Sequence, residues 1–466
     1  MTATLATANV TPTWVQLVEL VAAVCFILAL KGLSSPKTAR NGVLIGSVGA
    51  LIAVVVTFFA GYEMNNLLWI LLAMVVGIAI GWPAARKVKM TAMPQLVALF
   101  NGAGGGAAAL VALVEYQAVG AEDTLVLTFT VLTVLIGSVA FSGSIVTFLK
   151  LQEIMTTRPV VIPAGRIVTI AVAVAAAVLA VALIISPTSL LLIILALVSL
   201  VLGVLLVLPV GGADVPIVIS LLNAFTGLAV AASGYVLGNV LLLVAGTLVG
   251  ASGTLLTQEM AKAMGRPLTN TLFGAFKAST ALAAGGDADR PVRSSSADDV
   301  AIMLAYAQKV IIVPGYGLAV AQAQHTIREL VDLLNERGIE VAYAIHPVAG
   351  RMPGHMNVLL AEANVPYDQL KEMEEINPEF SSTDVVLVVG ANDVVNPAAK
   401  SDPSAPIYGM PILDVSDAAQ VVFLKRSMRP GFAGITNELL YDPKTTLLFG
   451  DAKDSLTKVV GAVKGL

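Results

Sequence analysis

Nine runs of about 20 apolar residues constrain the fold of this chain more than any other feature. A bilayer has a hydrocarbon core of about 30 Å, which roughly 20 apolar residues of helix can span. Several runs contain glycine, which lets membrane helices approach one another closely. The pattern predicts about nine transmembrane helices embedded in a lipid bilayer. The runs cover residues 14–33, 42–62, 66–85, 94–114, 124–149, 167–185, 189–208, 214–232 and 236–261.

The charged residues divide the chain into two regions of different composition. Residues 1–265 hold ten of the 27 Lys and Arg residues, and the rest of the chain holds the other seventeen. A chain with 57% hydrophobic and 12% charged residues is not one soluble globule. We therefore predict a transmembrane domain over 1–265, a cytoplasmic linker over 266–305 and a soluble domain over 306–466. Within the linker, the sequence GGDADRPVRSSSADD (285–299) is typical of a flexible tether.

Composition excludes several kinds of partner and site. The net charge of −4 argues against a nucleic-acid partner. Cys25 is the single cysteine and lies in an apolar run. This excludes a disulfide framework and a thiolate metal site within one chain, and we predict no metal site. Residues 1–13 carry no Lys or Arg, so they lack the basic segment of a cleaved signal peptide.

The connections between the runs predict the orientation in the membrane. Basic residues follow the first, third, fifth and ninth runs, whereas the intervening connections hold acidic residues and no Lys or Arg. By the positive-inside rule, the basic side is cytoplasmic. Nine spans then place the N-terminus outside and the C-terminal domain in the cytoplasm. The basic residues are Lys31, Lys37, Arg40, Arg86, Lys87, Lys89, Lys150, Arg158, Arg166, Lys262 and Arg266, and the acidic ones are Glu63, Glu115, Glu122 and Asp123.

Strands and helices alternate in the last part of the chain. This alternation predicts a Rossmann-like α/β domain with a doubly wound parallel sheet, whose ligands bind at the carboxyl ends of the strands. The predicted strands cover 309–313, 339–345, 384–389, 420–424 and 446–449. The predicted helices cover 317–337, 355–363 and 451–464.

A glycine turn, Gly315-Tyr316-Gly317, follows the first predicted strand. Such a turn opens the dinucleotide-binding pattern G-x-G-x-x-G, although Val320 occupies the position of the third glycine. That third glycine serves helix–strand packing, so Val320 should displace the helix slightly outward. A bare G-x-G is common in apolar sequences. Its place between a strand and a helix favours nucleotide binding here.

Two features favour NADP over NAD. The second strand ends in YAIHP and lacks the acidic residue that holds the ribose hydroxyls of NAD. Another apolar strand is followed by Lys425, Arg426 and Ser427, whose donors suit a 2′-phosphate. The alternative interpretation of these three residues is a solvated basic corner of the surface.

Longer motifs carry a resemblance to a known family. They include VIIVPGYGLAVAQAQH, VVLVVGANDVVNPAAK, VVFLKRSMRPGFAG and LLFGDAK, with MPQLVALFNG, FSGS and LPVGGADVPIVISLLNAFTG in the membrane part. Over nearly the whole chain, the sequence resembles the β subunit of proton-translocating NAD(P) transhydrogenases. The resemblance implies a bacterial inner-membrane enzyme that couples hydride transfer between NAD(H) and NADP(H) to proton movement. It also implies NADP(H) on this chain, NAD(H) on a separate α subunit with extra membrane helices, and a dimer of the whole complex.

The resemblance implies roles for residues of the soluble domain. Lys425, Arg426 and Ser427 would hold the 2′-phosphate. Asn392 and Asp393 would reach the nicotinamide end, with protonation of Asp393 linked to the proton path. A helix N-cap is the alternative role for Asp393. The pyrophosphate would face Gly315, Gly317, Ala319, Val320 and Arg351 (a surface salt bridge being the alternative for Arg351), and loops at Gly431, Gly434, Gly450 and Asp451 would close over the nucleotide.

The resemblance also implies a proton path, but this sequence departs from the family there. Some members carry a relay histidine in the fourth span, where this chain has Asn101 in ALFNGAGGG. All three histidines, His325, His346 and His355, lie in the soluble domain. We therefore expect any relay histidine to come from a membrane helix of a partner subunit, with Asn101 helping to hold a water chain.

Three further residues are candidates for the proton path: Ser144, Asp214 and Asn223. Interhelical hydrogen bonding is the alternative role of Ser144 and Asn223, and helix capping that of Asp214. Two other functions fit nine spans followed by a nucleotide fold. One is a transporter or channel gated by nucleotide and without redox chemistry. The other is a subunit whose soluble domain mainly docks partners.

Overall fold

A computed structural model describes residues 12–59, 66–120, 123–156, 160, 162–211, 214–263, 290–350, 354–403, 405, 407–431 and 433–466. Within these residues, nine helices are long and apolar enough to cross a membrane. All nine predicted spans are therefore confirmed as helices. They are α1 Thr13–Gly32, α2 Pro36–Thr57, α3 Leu67–Lys87, α4 Met93–Val119, α5 Thr124–Leu151, α6 Gly165–Ile185, α7 Ser189–Val207, α8 Val215–Val236 and α9 Val240–Ala263.

Glycine allows α8 and α9 to lie in close contact. A Cβ atom added at Gly227 would lie 2.4 Å from the backbone nitrogen of Gly250, and one at Gly246 would lie 2.3 Å from that of Ala231. Both distances are far below a normal contact, so the two backbones meet at positions that only glycine can occupy. A Cβ at Gly253 would lie 3.0 Å from the backbone of Ala224, so Gly246, Gly250 and Gly253 all serve the helix packing that glycine in the apolar runs predicts.

A buried lysine fixes the C-terminal end of α5, which is the end that the charges predict to be cytoplasmic. Lys150 is fully buried in the last turn of α5. Its ammonium group donates to the carbonyl oxygens of Val207, Leu208 and Val210 at distances of 2.5–3.1 Å. These carbonyls belong to the end of α7 and to the connection after it, where the helix dipole favours a cation. The sequence marked Lys150 as a topology signal, and the structure adds this capping role.

The last part of the chain forms a six-stranded parallel sheet in the order β3-β2-β1-β4-β5-β6. Buried side chains cover both faces of the sheet, which confirms the predicted doubly wound fold. The strands are β1 Lys309–Pro314, β2 Glu340–Ile345, β3 Leu370–Glu372, β4 Val385–Val389, β5 Gln420–Lys425 and β6 Thr445–Phe449. The helices are α10 Ala297–Ala305, α11 Tyr316–Val320, α12 Gln324–Glu336, α13 His355–Glu362, α14 Met373–Ile376, α15 Ala398–Ser401 and α16 Ala452–Gly465.

One prediction about secondary structure is wrong, and one strand was missed. The continuous helix predicted over 317–337 is divided into α11 and α12, because Gln322 adopts a left-handed conformation (φ 51°) between them. The edge strand β3 was not predicted. It has three residues, LKE, whose polar sequence carries no strand pattern.

Part of the predicted linker packs on the sheet domain. Ser294 forms a parallel bridge with Leu447 of β6, and α10 packs against α16. A capping box between Ser296 and Asp299 starts α10, and Val300, Ala301 and Leu304 are buried. The tether prediction is therefore wrong for residues 290–299, because their serines and aspartates cap a helix. Residues 285–289 lie outside the described part of the chain.

Candidate nucleotide site and polar seam of the membrane domain

Three glycines meet where β1 and β4 end. The N–H group of Gly315 donates to the carbonyl of Val389 (2.9 Å), and that of Gly317 donates to the carbonyl of Gly390 (3.0 Å). A Cβ at Gly317 would lie 2.6 Å from the Cα of Gly390, which itself has a left-handed backbone (φ +69°). The predicted turn therefore needs glycine for close backbone approach, and Gly390 is an essential part of it. Sequence analysis did not single out Gly390, although its place directly after a buried strand is the signal that could have identified it.

The helix after this turn is short. Ala319 is buried, whereas Val320 is 44% exposed at the end of α11. Val320 therefore leaves the strands of the sheet uncrowded, and the missing third glycine has little steric effect. Arg351, the other residue predicted at the pyrophosphate, lies outside the described residues.

Asn392, Asp393 and Lys425 form a polar network at the carboxyl ends of β4 and β5. The Nδ2 group of Asn392 donates to Asp393 Oδ1 (3.0 Å), and the Lys425 ammonium donates to Asn392 Oδ1 (3.0 Å). Burial lowers the pKa of Lys425, and the negative charge of Asp393 opposes this effect. The structure thus brings together the residues predicted for the nicotinamide end and the first of those predicted for the 2′-phosphate.

The Asp393 carboxylate also holds the loop at residues 431–434. Its Oδ2 atom accepts the N–H group of Ala433 (2.8 Å). A Cβ at Gly431 would lie 2.4 Å from Asp393 Oδ1, and Gly434 has a left-handed backbone (φ +74°). The short 3-10 helix Asp393–Val395 has Asn392 as its N-cap residue and no side-chain capping bond, so Asp393 does not take the alternative role of a helix N-cap. Sequence analysis did not identify Ala433, since an alanine carries no chemical signal.

Lys425, Arg426 and Ser427 at the end of β5 form what we call the cationic edge. Arg426 and Ser427 are exposed, and among the described residues the Arg426 guanidinium makes no ion pair. Gly450, after β6, donates its N–H group to the Lys425 carbonyl (3.0 Å). Asp451 caps α16 by accepting the N–H group of Lys453 (2.9 Å). The predicted loop at Gly450 and Asp451 therefore lies beside this cationic edge.

His346 lies directly after β2, where an NAD site would carry an acid. It is buried, its Nε2 atom lies 2.8 Å from the carbonyl of Pro411, and its Nδ1 atom accepts the N–H group of Val348 (3.2 Å). These contacts require a neutral ring with the proton on Nε2. Burial lowers the pKa of His346 to about 4, against the smaller opposing effect of the Pro411 bond. His346 is thus an uncharged part of the frame at neutral pH.

The polar residues predicted for the proton path lie on three helices. Asn101 of α4 donates through Nδ2 to Ser144 Oγ of α5 (2.9 Å). Asn223 lies half-buried on α8, and Asp214 occupies the N-cap position of that helix, with no side-chain capping bond. The structure joins Asn101 and Ser144 directly. We call the contact region of α4, α5 and α8 around these two residues the polar seam.

An apolar cluster joins the two domains. Ile217 near the start of α8 and Met260 near the end of α9 pack with residues of the sheet domain. Ala433, whose N–H group binds Asp393, contacts the same cluster. This interdomain cluster therefore links the site loop to two membrane helices. It comprises Ile217, Met260, Ala261, Ala399, Ile407, Met410 and Ile412, with Val348, Ala398, Ala405, Ala433 and Ile435 packed against it.

Comparison with known proteins supports a single family. A family model described as NAD(P) transhydrogenase beta subunit matches residues 15–462. Two sequences from Rhodospirillum rubrum, both named NAD(P) transhydrogenase subunit beta, are each 49% identical to this chain over 454 residues. These alignments cover 95% of this chain and 98% of each relative.

Proposed function

This chain belongs to the NAD(P) transhydrogenase beta subunit family, and from that premise we propose that it binds NADP(H) and moves protons across the membrane. The family name implies the use of nicotinamide nucleotides and an alpha subunit as partner. One Rossmann-like sheet is present among the described residues. We therefore propose that the alpha subunit carries NAD(H) and extra membrane helices, including any relay histidine, and that the whole complex is a dimer.

The cationic edge after β5 carries the assignment of NADP(H). Arg426 is exposed and makes no ion pair among the described residues, and it directly follows Lys425 in the sequence. A guanidinium group can bind phosphate in bidentate fashion, and a neighbouring lysine adds charge. The end of β2 carries neutral His346 and no acid that would favour the free ribose hydroxyls of NAD. This donor set fits a 2′-phosphate.

The remaining residues of the site would position the nucleotide. Bound NADP(H) supplies hydride chemistry, which needs alignment and exclusion of water rather than a general acid or base. The rigid turn at Gly315, Gly317 and Gly390 would face the pyrophosphate. Asn392 and Asp393 would adjoin the nicotinamide, and the loops at 431–434 and 450–451 would exclude water.

The interdomain cluster offers a route for coupling. Moving one charge through 100 mV supplies about 2.3 kcal/mol, which corresponds to a change of about fiftyfold in a nucleotide ratio at 1.4 kcal/mol per decade. We propose that this work changes the affinity of the NADP(H) site. A shift of α8 or α9 would reach Asp393 through Ala433, because Ala433 contacts both the cluster and the Asp393 carboxylate.

The basic residues also support a proposed topology. We place the chain in the bacterial inner membrane with its N-terminus outside and its sheet domain in the cytoplasm. Lys31, Lys150 and Lys262 lie in the last turns of α1, α5 and α9, at ends that the positive-inside rule assigns to the cytoplasm.

The purified alpha–beta complex in proteoliposomes tests these proposals. We expect transfer of reducing equivalents from NADPH to an NAD analogue to change the luminal pH, and an uncoupler to abolish that change. The Arg426→Ala variant should weaken NADP(H) binding about 10–100-fold, whereas Lys458→Ala, on an exposed face of α16, should leave it unchanged. Transfer without a pH change contradicts coupling, and ion conduction without transfer supports the nucleotide-gated channel.

A further inference from the structure

A cavity lies among the ends of four membrane helices, on the side of the domain opposite its basic residues. Its volume is about 610 Å³, within the range of about 300–1,000 Å³ that is usual for small-ligand sites. Residues of α2, α4, α8 and α9 line it, among them Thr57, the last residue of α2, and Asn239, which directly precedes α9. The cavity therefore lies near the membrane surface, at the depth of the lipid headgroups.

Glu115 of α4 lines this cavity without a partner. Its side chain is half-buried one turn before the end of the helix, and among the described residues it makes no hydrogen bond or ion pair. The rest of the wall is mainly apolar and includes Val54, Leu237 and Leu241. A carboxylate in such surroundings is costly unless it meets a cation.

The chain itself supplies no cation on this side of the membrane. The helix ends and connections at 58–66, 114–123, 186–188 and 232–240 contain no Lys or Arg, and neither do residues 1–13. A cation that pairs with Glu115 must therefore come from outside this chain. A lipid headgroup with a primary ammonium group offers three N–H donors at this depth.

The start of α9 offers donors for an anion beside the same cavity. Asn239 caps the helix by accepting the N–H group of Leu242 (2.9 Å). The N–H groups of Val240 and Leu241 have no acceptor within the described part of the chain, and a helix N-terminus with free N–H groups favours phosphate. Glu19 of α1 holds the Asn239 amide (3.4 Å) but does not line the cavity.

We propose that this cavity binds a phospholipid whose headgroup carries a primary ammonium group, such as phosphatidylethanolamine. The ammonium group would donate to Glu115, and the phosphate would accept the N–H groups at the start of α9. The acyl chains would lie on the apolar side chains of α2 and α9. Because a transmembrane helix satisfies its own backbone, an apolar partner helix in this place would leave Glu115 and the free N–H groups without partners. The charges therefore favour a lipid.

The site is separate from the polar seam. Glu115 lies 14 residues after Asn101 on α4, which is a rise of about 21 Å. Lipid binding can thus be measured without proton movement, and a failure of one proposal leaves the other standing.

Titration of the delipidated alpha–beta complex with phosphatidylethanolamine, followed by native mass spectrometry, tests the site. We expect Glu115→Gln, which keeps the shape and removes the charge, to weaken binding about tenfold or more. The matched control is Asp123→Asn, because Asp123 is an exposed acid on the same side that caps α5, and asparagine preserves a cap. Phosphatidylglycerol has no ammonium group and should bind equally to the wild type and to Glu115→Gln. The melting temperature without lipid should be the same in both variants.

Several outcomes overturn the proposal. Equal binding of phosphatidylethanolamine to wild type and Glu115→Gln removes the carboxylate from the site. An equal loss in Asp123→Asn means that overall charge is responsible, and an equal loss of phosphatidylglycerol means that the ammonium group is not recognised. A cryo-EM map of the complex in nanodiscs that contain phosphatidylethanolamine is an independent measurement. Headgroup density between Glu115 and the start of α9 supports the proposal, whereas a partner helix in the cavity contradicts it.

Discussion

The end of α5 and the end of β5 each carry a lysine, and the two regions use it in different ways. Lys150 donates to three backbone carbonyls, which is the full capacity of an ammonium group. Lys425 makes two hydrogen bonds among the described residues, to Asn392 Oδ1 and to the carbonyl of Arg429. A saturated cation fixes structure, whereas a cation with a remaining donor can also bind a ligand. In the sequence both residues simply end an apolar run.

The largest effect is expected from Lys150→Met. This change leaves three buried carbonyls at the end of α7 without their donor, at a cost of about 1–3 kcal/mol for each buried group, so we expect a loss of about 4 kcal/mol. Thermal unfolding of the purified chain in detergent measures it. The control Lys262→Met removes an exposed lysine paired with Glu259 and should have little effect. A melting temperature equal to that of wild type would mean that Lys150 does not fix this region.

The next-largest effect is expected from the pH dependence of stability that His346 causes. Burial keeps this side chain neutral, in contrast to both lysines. The pKa of His346 is about 4 in the folded protein and about 6.5 in an unfolded chain. As the pH falls from 6.5 to 4, the unfolded state takes up the proton first. The stability of the sheet domain should therefore fall by about 3 kcal/mol over that interval at 1.36 kcal/mol per pKa unit. Hydrogen exchange of β2 in the whole chain measures this change.

The His346→Gln variant provides the control for this pH dependence. It removes the titrating group, so the slope between pH 4 and 6.5 should become flatter. An unchanged slope would assign the dependence to other groups.

Lys425→Met is the matching substitution at the candidate nucleotide site, and its main effect should be on affinity rather than on stability. Because Lys425 is proposed to bind phosphate, we expect NADP(H) affinity to fall about 10–100-fold, with a smaller change in melting temperature than for Lys150→Met. Titration calorimetry of the intact complex, with NADP(H) and NAD(H) compared, measures the affinities. If Lys425→Met lowers stability as strongly as Lys150→Met and leaves affinity intact, the distinction between the two lysines is lost.

The smallest effect is expected from Val320→Gly, which restores the third glycine of the nucleotide pattern. Val320 is 44% exposed at the end of α11, so its removal should change stability by less than about 1 kcal/mol and leave NADP(H) affinity close to wild type. Gly317→Ala should lower stability more than Val320→Gly does, because its Cβ would lie 2.6 Å from the Cα of Gly390. A large gain of affinity in Val320→Gly would show that the third position does contact the nucleotide site.

Periodicity and apolar length were sufficient to predict most of the fold. The nine spans are visible because lipid requires about 20 apolar residues of each, and the buried parallel strands because both faces must be apolar. Elements without such a pattern were missed. The strand β3 is polar and has three residues, and α10 begins in a serine-rich segment whose capping role depends on the apolar residues that follow.

The residues of the candidate site could be proposed from the sequence, but their contacts could not. Arg426 was identified because its charge follows a strand, and Asp393 was identified from the family resemblance. The partner of Asp393, the N–H group of Ala433, lies 40 residues away and has no side-chain signal.

The contact of Gly315, Gly317 and Gly390 ties together the two turns on one side of the candidate nucleotide site. Two backbone hydrogen bonds join the turns after β1 and β4, and their chains lie so close that neither turn can move without the other. A single hydrogen bond, from the N–H group of Ala433 to the Asp393 carboxylate, connects the loop after β5 to the chain that follows β4. If the proposed coupling alters the nucleotide site, we therefore expect the loop at Ala433 to move and the glycine contact to stay in place.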